Sequence, residues 1–231
     1  MMSPNKFDRS LIPSRPDFHF ETQVWRQGYT AVAGIDEAGR GALAGPVVAA
    51  AVIFPPEPEL LPTLNGVRDS KVMSSNQREL WAGRVANIAV TYAVGFASCR
   101  EIDEFGIMSA TYLAMARAID DLEHPPQHLL LDYLKLPDSS IPQTALVKGD
   151  ARSLSIAAAS ILAKVARDSH LCHLDEQYPG YGFAKNKGYG TAAHRQALID
   201  LGISPAHRRS FNFRKPNTMA NGGKKLESGN R

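Results

Sequence analysis

A mixed α/β sheet is the fold that this sequence predicts, and three observations predict it. Three early apolar segments follow one another through short links, which suits antiparallel strands. Helical patterns then alternate with two shorter apolar segments, which suits parallel crossovers. The chain has 231 residues, 44% of them hydrophobic, enough to bury one sizeable core.

Residues 1 to about 28 mix Pro, Arg, Asp and aromatics without a sustained period and read as an extension, lying on the domain or partly disordered. TAVAGIDE reads as a buried strand, and PVVAAAVIF as another beyond a turn at Gly39-Arg40-Gly41. Pro55, Pro56, Pro58 and Pro62 mark a loop. SSNQRELWAGRVANIAV opens with serines and spaces Leu80, Val85 and Ile88 as a helix does, after which TYAVGFAS returns to strand. CREIDEFGIMSATYLAMARAIDDL is helical in pattern with a break near Gly106. QHLLLDYLKLP is a short strand ending at Asp132, and TALVKGD a second ending near Asp150. Ser153 to Glu176 is the clearest helix, rich in alanines that permit close packing on a sheet. A turn-rich stretch, YPGYGFAKNKGYGT, leads to a short helix through AAHRQALID, and 214–231 reads as a basic flexible tail.

Cys99 and Cys172 are far apart and lack metal-ligand spacing, so neither a disulfide framework nor a zinc site is expected, and a cytoplasmic setting is. The apolar stretches fall short of a membrane span. Net charge is +3, but residues 201–231 hold seven Lys or Arg against Glu227 alone and carry +6. Two readings of that end stay open: a surface lying along phosphates, or a solvated tail.

Taken singly, the notable acids have ordinary explanations. Asp36 and Glu37 are a solvated strand end, Asp132 a turn residue, and Asp150 a cap or dipole partner for the following helix. Adjacent residues of a strand point to opposite faces, so Asp36 and Glu37 serve one site only if the strand twists or ends there, and Gly39 favours an ending. If all four met, their repulsion would demand cations. Oxygen ligands without His or Cys select Mg²⁺ or Mn²⁺. Two such ions held about 4 Å apart suit in-line displacement at a phosphodiester.

The segments GIDEAGRG, LAGPVVAAAV, DSK, LDYLKLP, KGDARSLSIAAASILAKVARD, YPGYGFAKNKGYGT and HRRSF together resemble the ribonuclease HII family, from about Gly34 to Phe211. The resemblance implies an RNase H-like fold, a five-stranded mixed sheet flanked by helices with a small C-terminal helical part, within a catalytic domain at 29–213. It implies hydrolysis of the RNA strand of RNA/DNA hybrids and incision at single ribonucleotides in duplex DNA, by a monomer. Asp36, Glu37, Asp132 and Asp150 would then be the catalytic metal ligands for Mg²⁺ or Mn²⁺. Gly39, Arg40 and Gly41 would meet the 2′-hydroxyl side of the nucleotide, the group that separates RNA from DNA. Tyr189 would pack on the deoxyribose beyond the junction, and Lys71 would contact phosphate, with Lys148, Ser160 and Lys164 as further candidates.

Two positions depart from the family pattern: Ala42 replaces a frequent Pro, and Gly106 a common Asn. His207 in HRRSF is expected to be structural or near phosphate. Two other functions remain beside this one. Another metal nuclease of the same fold, a junction resolvase or integrase-like strand transferase, would share the acids but not the Gly-Arg-Gly and KGYGT pair. A non-catalytic nucleic-acid-binding protein would rely on the basic end.

Overall fold

The apolar runs of the first hundred residues form three antiparallel strands, the first two joined by the short turn after Ala38 and the last two, contrary to the short link expected, by residues 54–90 with a helix between them. They are β1 (Val32–Ala38), β2 (Val47–Ile53) and β3 (Thr91–Ala97). β4 (His128–Asp132) and β5 (Gln143–Leu146) then add in parallel on the other side of β1, giving the order β3-β2-β1-β4-β5. The computed structural model describes residues 7–213, so the basic tail expected at 214–231 lies outside the described residues. The helices are α1 (His19–Trp25), α2 (Ser75–Ile88), α3 (Cys99–Asp120), α4 (Leu154–Gln177), α5 (Phe183–Asn186) and α6 (Ala192–Leu201).

Strand alternation sends side chains to two separate cores. Ala33, Ile35, Ala49 and Ala51 face α3 and pack with Ala110, Ala114 and Met115. Ala50 and Val52 face α4 and pack with Ala157, Ala158 and Ile161, while Val85 of α2 closes that side. The α2 and α3 helices begin at Ser74 and Ser98, each a full capping box with the residue three further on, Gln77 or Glu101. Gly106 interrupts α3 with a positive φ of 80°. Beyond the sheet, α5 and α6 build a small helical part whose core joins Leu171 of α4 to Tyr181, Phe183, Ala197 and Ala206.

Between residue 7 and β1 the chain packs against the domain and contains the helix α1, where no sustained period marks one in the sequence. α1 has no side-chain cap at Phe18 and runs only seven residues, so its local signal is weak. Tertiary contact holds it instead. Glu21 is fully buried and its Oε1 accepts from Ser153 Oγ at 2.7 Å and Ser155 N at 2.8 Å, at the start of α4.

β1 and α4 approach unusually closely at Gly34. A Cβ there would sit 2.2 Å from the backbone carbon of Ser155 and 2.5 Å from the nitrogen of Ile156. Since those atoms are backbone, a side chain could be accommodated only by moving the helix. Gly34→Ala is therefore expected to lower stability by about 1–3 kcal/mol or more, the usual scale of overpacking. Urea unfolding at constant m-value measures this, and an unchanged midpoint would mean that α4 shifts without cost.

Candidate active site

Asp36 and Glu37 leave the end of β1 on opposite faces, as adjacent strand residues must. Asp36 lies on the α4 side and is 4% exposed. Asp132 ends β4 one step past the Ile35–Leu131 pair, which brings it alongside Asp36. Asp150 occupies the 3-10 turn Gly149–Ala151 that leads into α4 and is 2% exposed. One carboxylate oxygen from each of these three lies within 4.8 Å of the other two.

Glu37 stands beside this trio rather than in it. Its Oε1 accepts from Arg40 at 3.1 Å, on the side where Arg40 also meets Met108 Sδ of α3. Its Oε2 is buried with no hydrogen-bond partner among the described residues. Such an orphaned oxygen is costly unless something binds it.

The electrostatics of the trio are unfavourable by themselves. Burial, followed by the charges of Glu37, Asp132 and Asp150, pushes the Asp36 carboxyl well above its ordinary range. Burial and the neighbouring Asp150 raise Asp132 to about 6, although the Gly149 N–H, which donates to its Oδ1 at 2.7 Å, works the other way. Lys71 offsets part of the repulsion: its ammonium donates to Asp150 Oδ2 at 2.8 Å. Partial burial opposes the Lys71 charge, but that hydrogen bond and the fields of Asp150, Asp69 and Asp36 outweigh it and raise its pKa. The donor set is all oxygen, with a surplus of negative charge and one unpartnered oxygen. It fits a hard divalent cation.

An open cleft of about 520 Å³ gathers Asp36, Glu37, Asp132, Lys71, the Gly39-Arg40-Gly41 turn and Tyr189. Gly39 has φ +94°, and a Cβ on it would strike Arg167. The Gly39 and Arg40 carbonyls accept from Arg208 at 2.7 and 2.8 Å. In a trans peptide the N–H opposes the preceding C=O, so the Arg40 and Gly41 N–H groups are turned away from Arg208. Tyr189 is 38% exposed, with the Arg167 guanidinium 5.4 Å and the Lys164 ammonium 5.7 Å from its ring centre.

The lesser candidates divide. Lys148 is exposed at a left-handed position just before Asp150. Lys164 is in the cleft but paired with Asp168 at 2.7 Å. Ser160 is 2% exposed, so the expectation that it contacts phosphate is corrected: its Oγ accepts from the Ser70 N–H at 3.2 Å and supports the turn carrying Lys71. His207, at 1% exposure, is structural.

Two residues of this region were present in the quoted motifs but given no role: Arg167 and Arg208, both fully buried. Arg167 donates to the carbonyls of Pro46, Lys187 and Ala44 at 2.9–3.0 Å, and Arg208 adds the Gly45 carbonyl at 2.9 Å. Arg167 stands between Ala166 and Asp168 in the charged stretch KVARDSH, which reads locally as a solvated helix face, so only its burial, with carbonyls as acceptors, marks its role.

Acids converging at the end of the central strand of such a sheet define an RNase H-like nuclease centred on carboxylates. A family model described as Ribonuclease HII matches residues 33–214, and the chain belongs to that family. The Ribonuclease HII of Dehalococcoides mccartyi is 49% identical over 201 residues, covering 85% of this chain and 92% of that protein. The Ribonuclease HII of a Synechococcus strain is 54% identical over 199 residues, covering 85% and 88%. Among solved structures, RNase HII from Archaeoglobus fulgidus in complex with PCNA aligns with a TM-score of 0.67 at 28% identity over 81% of this chain and 98% of that one. Ribonuclease H2 from Pyrococcus horikoshii gives 0.66 at 27% identity over 79% and 94%. The fold is thus the RNase H-like one expected, and the chain is a ribonuclease H endonuclease acting on nucleic acid. No helix among the described residues is long and apolar enough to cross a membrane.

The raised pKa of Asp132 fixes the sign of a pH effect. A carboxyl whose folded pKa lies near 6, above the unfolded value of 3.8, stabilises the fold fully below 3.8 and loses that contribution as pH rises through about 6. In chelator, Asp132→Asn should raise the melting temperature by about 2 °C or more at pH 7.5. The gain should vanish near pH 4, where wild-type Asp132 is protonated. Calorimetry at both pH values checks this, and a gain independent of pH would exclude carboxylate repulsion as its cause.

Proposed function

We propose that the chain hydrolyses the RNA strand of RNA/DNA hybrids and cuts on the 5′ side of single ribonucleotides in duplex DNA, leaving 5′-phosphate and 3′-hydroxyl ends. The observation that carries this reading is the meeting of Asp36, Asp132 and Asp150, two of which, Asp36 and Asp132, line a cleft that also holds the Gly39–Gly41 turn and Tyr189.

Asp36, Asp132 and Asp150 would hold Mg²⁺ or Mn²⁺, with Glu37 supplying its unpartnered Oε2. When bound, a pair of such ions supplies a water nucleophile at neutral pH and stabilises the departing oxygen. The remaining roles belong to the chain's own groups. Lys71 in the cleft and the exposed Lys148, two residues before Asp150, offer positive charge to backbone phosphates, and the Arg40 and Gly41 N–H groups offer donors to the ribose 2′-hydroxyl. Tyr189 offers an apolar face to the following deoxyribose. The catalytic unit is 29–213, working as a cytoplasmic monomer, with the basic tail 214–231 as an added phosphate contact.

Asp36→Asn should fold and lose about 10²-fold or more in cleavage rate, the scale seen when a preorganised electrostatic group is removed. Near-normal rates in that variant would remove the carboxylate assignment. On a duplex with one ribonucleotide, end analysis should find a 5′-phosphate on the ribonucleotide, whereas a 2′,3′-cyclic phosphate would make the 2′-hydroxyl the nucleophile. Tyr189→Ala should cost about 1–3 kcal/mol on that substrate, by analogy with stacking contacts, and less on an all-RNA strand paired with DNA. Equal losses on both would reduce Tyr189 to a loop support.

A further inference from the structure

Beneath the Tyr189 loop, two histidines face each other in an apolar pocket. His194 of α6 and His207 are 0% and 1% exposed, and their Nε2 atoms are 3.0 Å apart. The rings of Phe183 and Tyr181 enclose them, with centroids 4.9–5.4 Å away. The outer nitrogens have different partners. His207 Nδ1 is 3.0 Å from the Ser204 backbone nitrogen, which donates to it, and 2.9 Å from Ser204 Oγ, while His194 Nδ1 is 2.9 Å from the Tyr189 carbonyl oxygen, which also accepts from the Thr191 N–H at 2.8 Å.

Those two ends settle every proton between them. A backbone N–H can only donate, so His207 Nδ1 is bare and its Nε2 carries the hydrogen. A carbonyl can only accept, so His194 Nδ1 carries a hydrogen and its Nε2 is bare. The central contact is then His207 Nε2–H donating to His194 Nε2, with both rings neutral. Burial favours that state: it lowers the pKa of His194, and together with the neighbouring His194 it takes His207 down to about 4.

We infer that His194 and His207 are positioning residues for Tyr189, forming a one-way hydrogen-bond chain that fixes the Tyr189 carbonyl relative to the Gly39–Gly41 turn. The far end of the chain is tied to that turn. Ala44 and His207 form an isolated antiparallel bridge, the Gly45 N–H donates to the Ala206 carbonyl at 2.8 Å, and the Arg208 N–H to the Leu43 carbonyl at 3.0 Å. The Gly188 carbonyl accepts from the Leu43 and Ala44 N–H groups at 2.8 and 3.2 Å. The spacing between ribose-reading turn and deoxyribose-reading ring is therefore set by one buried frame, in which His194 is the strut under Tyr189. This inference rests on the proposed junction-reading role of Tyr189.

Replacing His194 by each of its two half-mimics tests the strut. An Asn amide nitrogen occupies the Nδ1 position and still donates to the Tyr189 carbonyl, whereas a Gln amide reaches only the Nε2 position and leaves that carbonyl without its ring donor. His194→Gln is expected to lose about three- to tenfold in kcat/KM on the one-ribonucleotide duplex, the worth of one hydrogen bond, with less than about a twofold change on an all-RNA hybrid. His194→Asn keeps the donor to Tyr189 but strands the His207 Nε2–H, so it should lose less than His194→Gln on the one-ribonucleotide duplex while its melting temperature falls. Equal losses for Asn and Gln, or a Gln loss that is the same on both substrates, would overturn the inference. Melting temperatures of both variants separate positioning from misfolding. Nitrogen-15 NMR of the wild-type protein should find His194 protonated at Nδ1 and His207 at Nε2, and the opposite tautomers would also overturn the chain. Tyr189→Ala in the same assays separates the two claims: if it loses equally on both substrates, the junction role of Tyr189 fails, while the tautomers still decide whether the strut exists.

Discussion

The close seating of α4 on the central strand at Gly34 is the constraint on which the rest of this molecule depends. Only hydrogen occupies the place where a Cβ would meet the Ser155 backbone, so the start of the helix lies directly on β1. Asp36 is two residues beyond Gly34, and Asp150 four residues before the helix begins. Their meeting follows from this contact. Glu21 reinforces it from the other side by accepting from Ser153 and Ser155 at the helix start, although its full burial holds its carboxyl above the ordinary range.

The same seating creates an electrostatic debt within the cleft. Carboxylates forced together under burial resist ionisation, as the raised pKa values of Asp36 and Asp132 show. Lys71 and Arg40 each neutralise one neighbour, Asp150 and Glu37 respectively, and leave the cluster negative. A site in this condition favours cations and, through them, phosphate. The backbone beside the acids is left-handed at Tyr133, which follows Asp132, and at Lys148, two residues before Asp150, so unfavourable backbone accompanies the unfavourable charge.

Around the acids, the segments that face substrate are loops, and loops need external support. Here the support is polar and buried. Arg167 and Arg208 satisfy carbonyls at Gly39, Arg40, Ala44, Gly45, Pro46 and Lys187, so the turn after β1 and the loop before Tyr189 hang from two guanidinium groups. Each of the six guanidinium nitrogens donates to a carbonyl, with no acid among these acceptors. Removing one arginine would strand several carbonyls at once, which makes the arrangement cooperative.

Much of the architecture was legible in the chain itself. Apolar runs located the five strands, although β5 ends at Leu146 rather than near Asp150, opening serines and helical spacing located α2, helical pattern located α3, and the alanine-rich run located α4, because these signals are local and periodic. The short α1 escaped, since its helix is held by Glu21 and Phe18 against distant partners rather than by its own propensity. The family resemblance placed the acids and the two substrate-facing motifs in one protein. Tertiary structure alone decided that Asp36, Asp132 and Asp150 converge while Glu37 turns to Arg40, that Ser160 is buried, and that Arg167, Arg208, His194 and His207 form the frame beneath the cleft. The division has a physical reason: periodic burial is written along the chain every two or three to four residues, whereas a hydrogen bond across more than a hundred residues exists only once the sheet and its helices have closed.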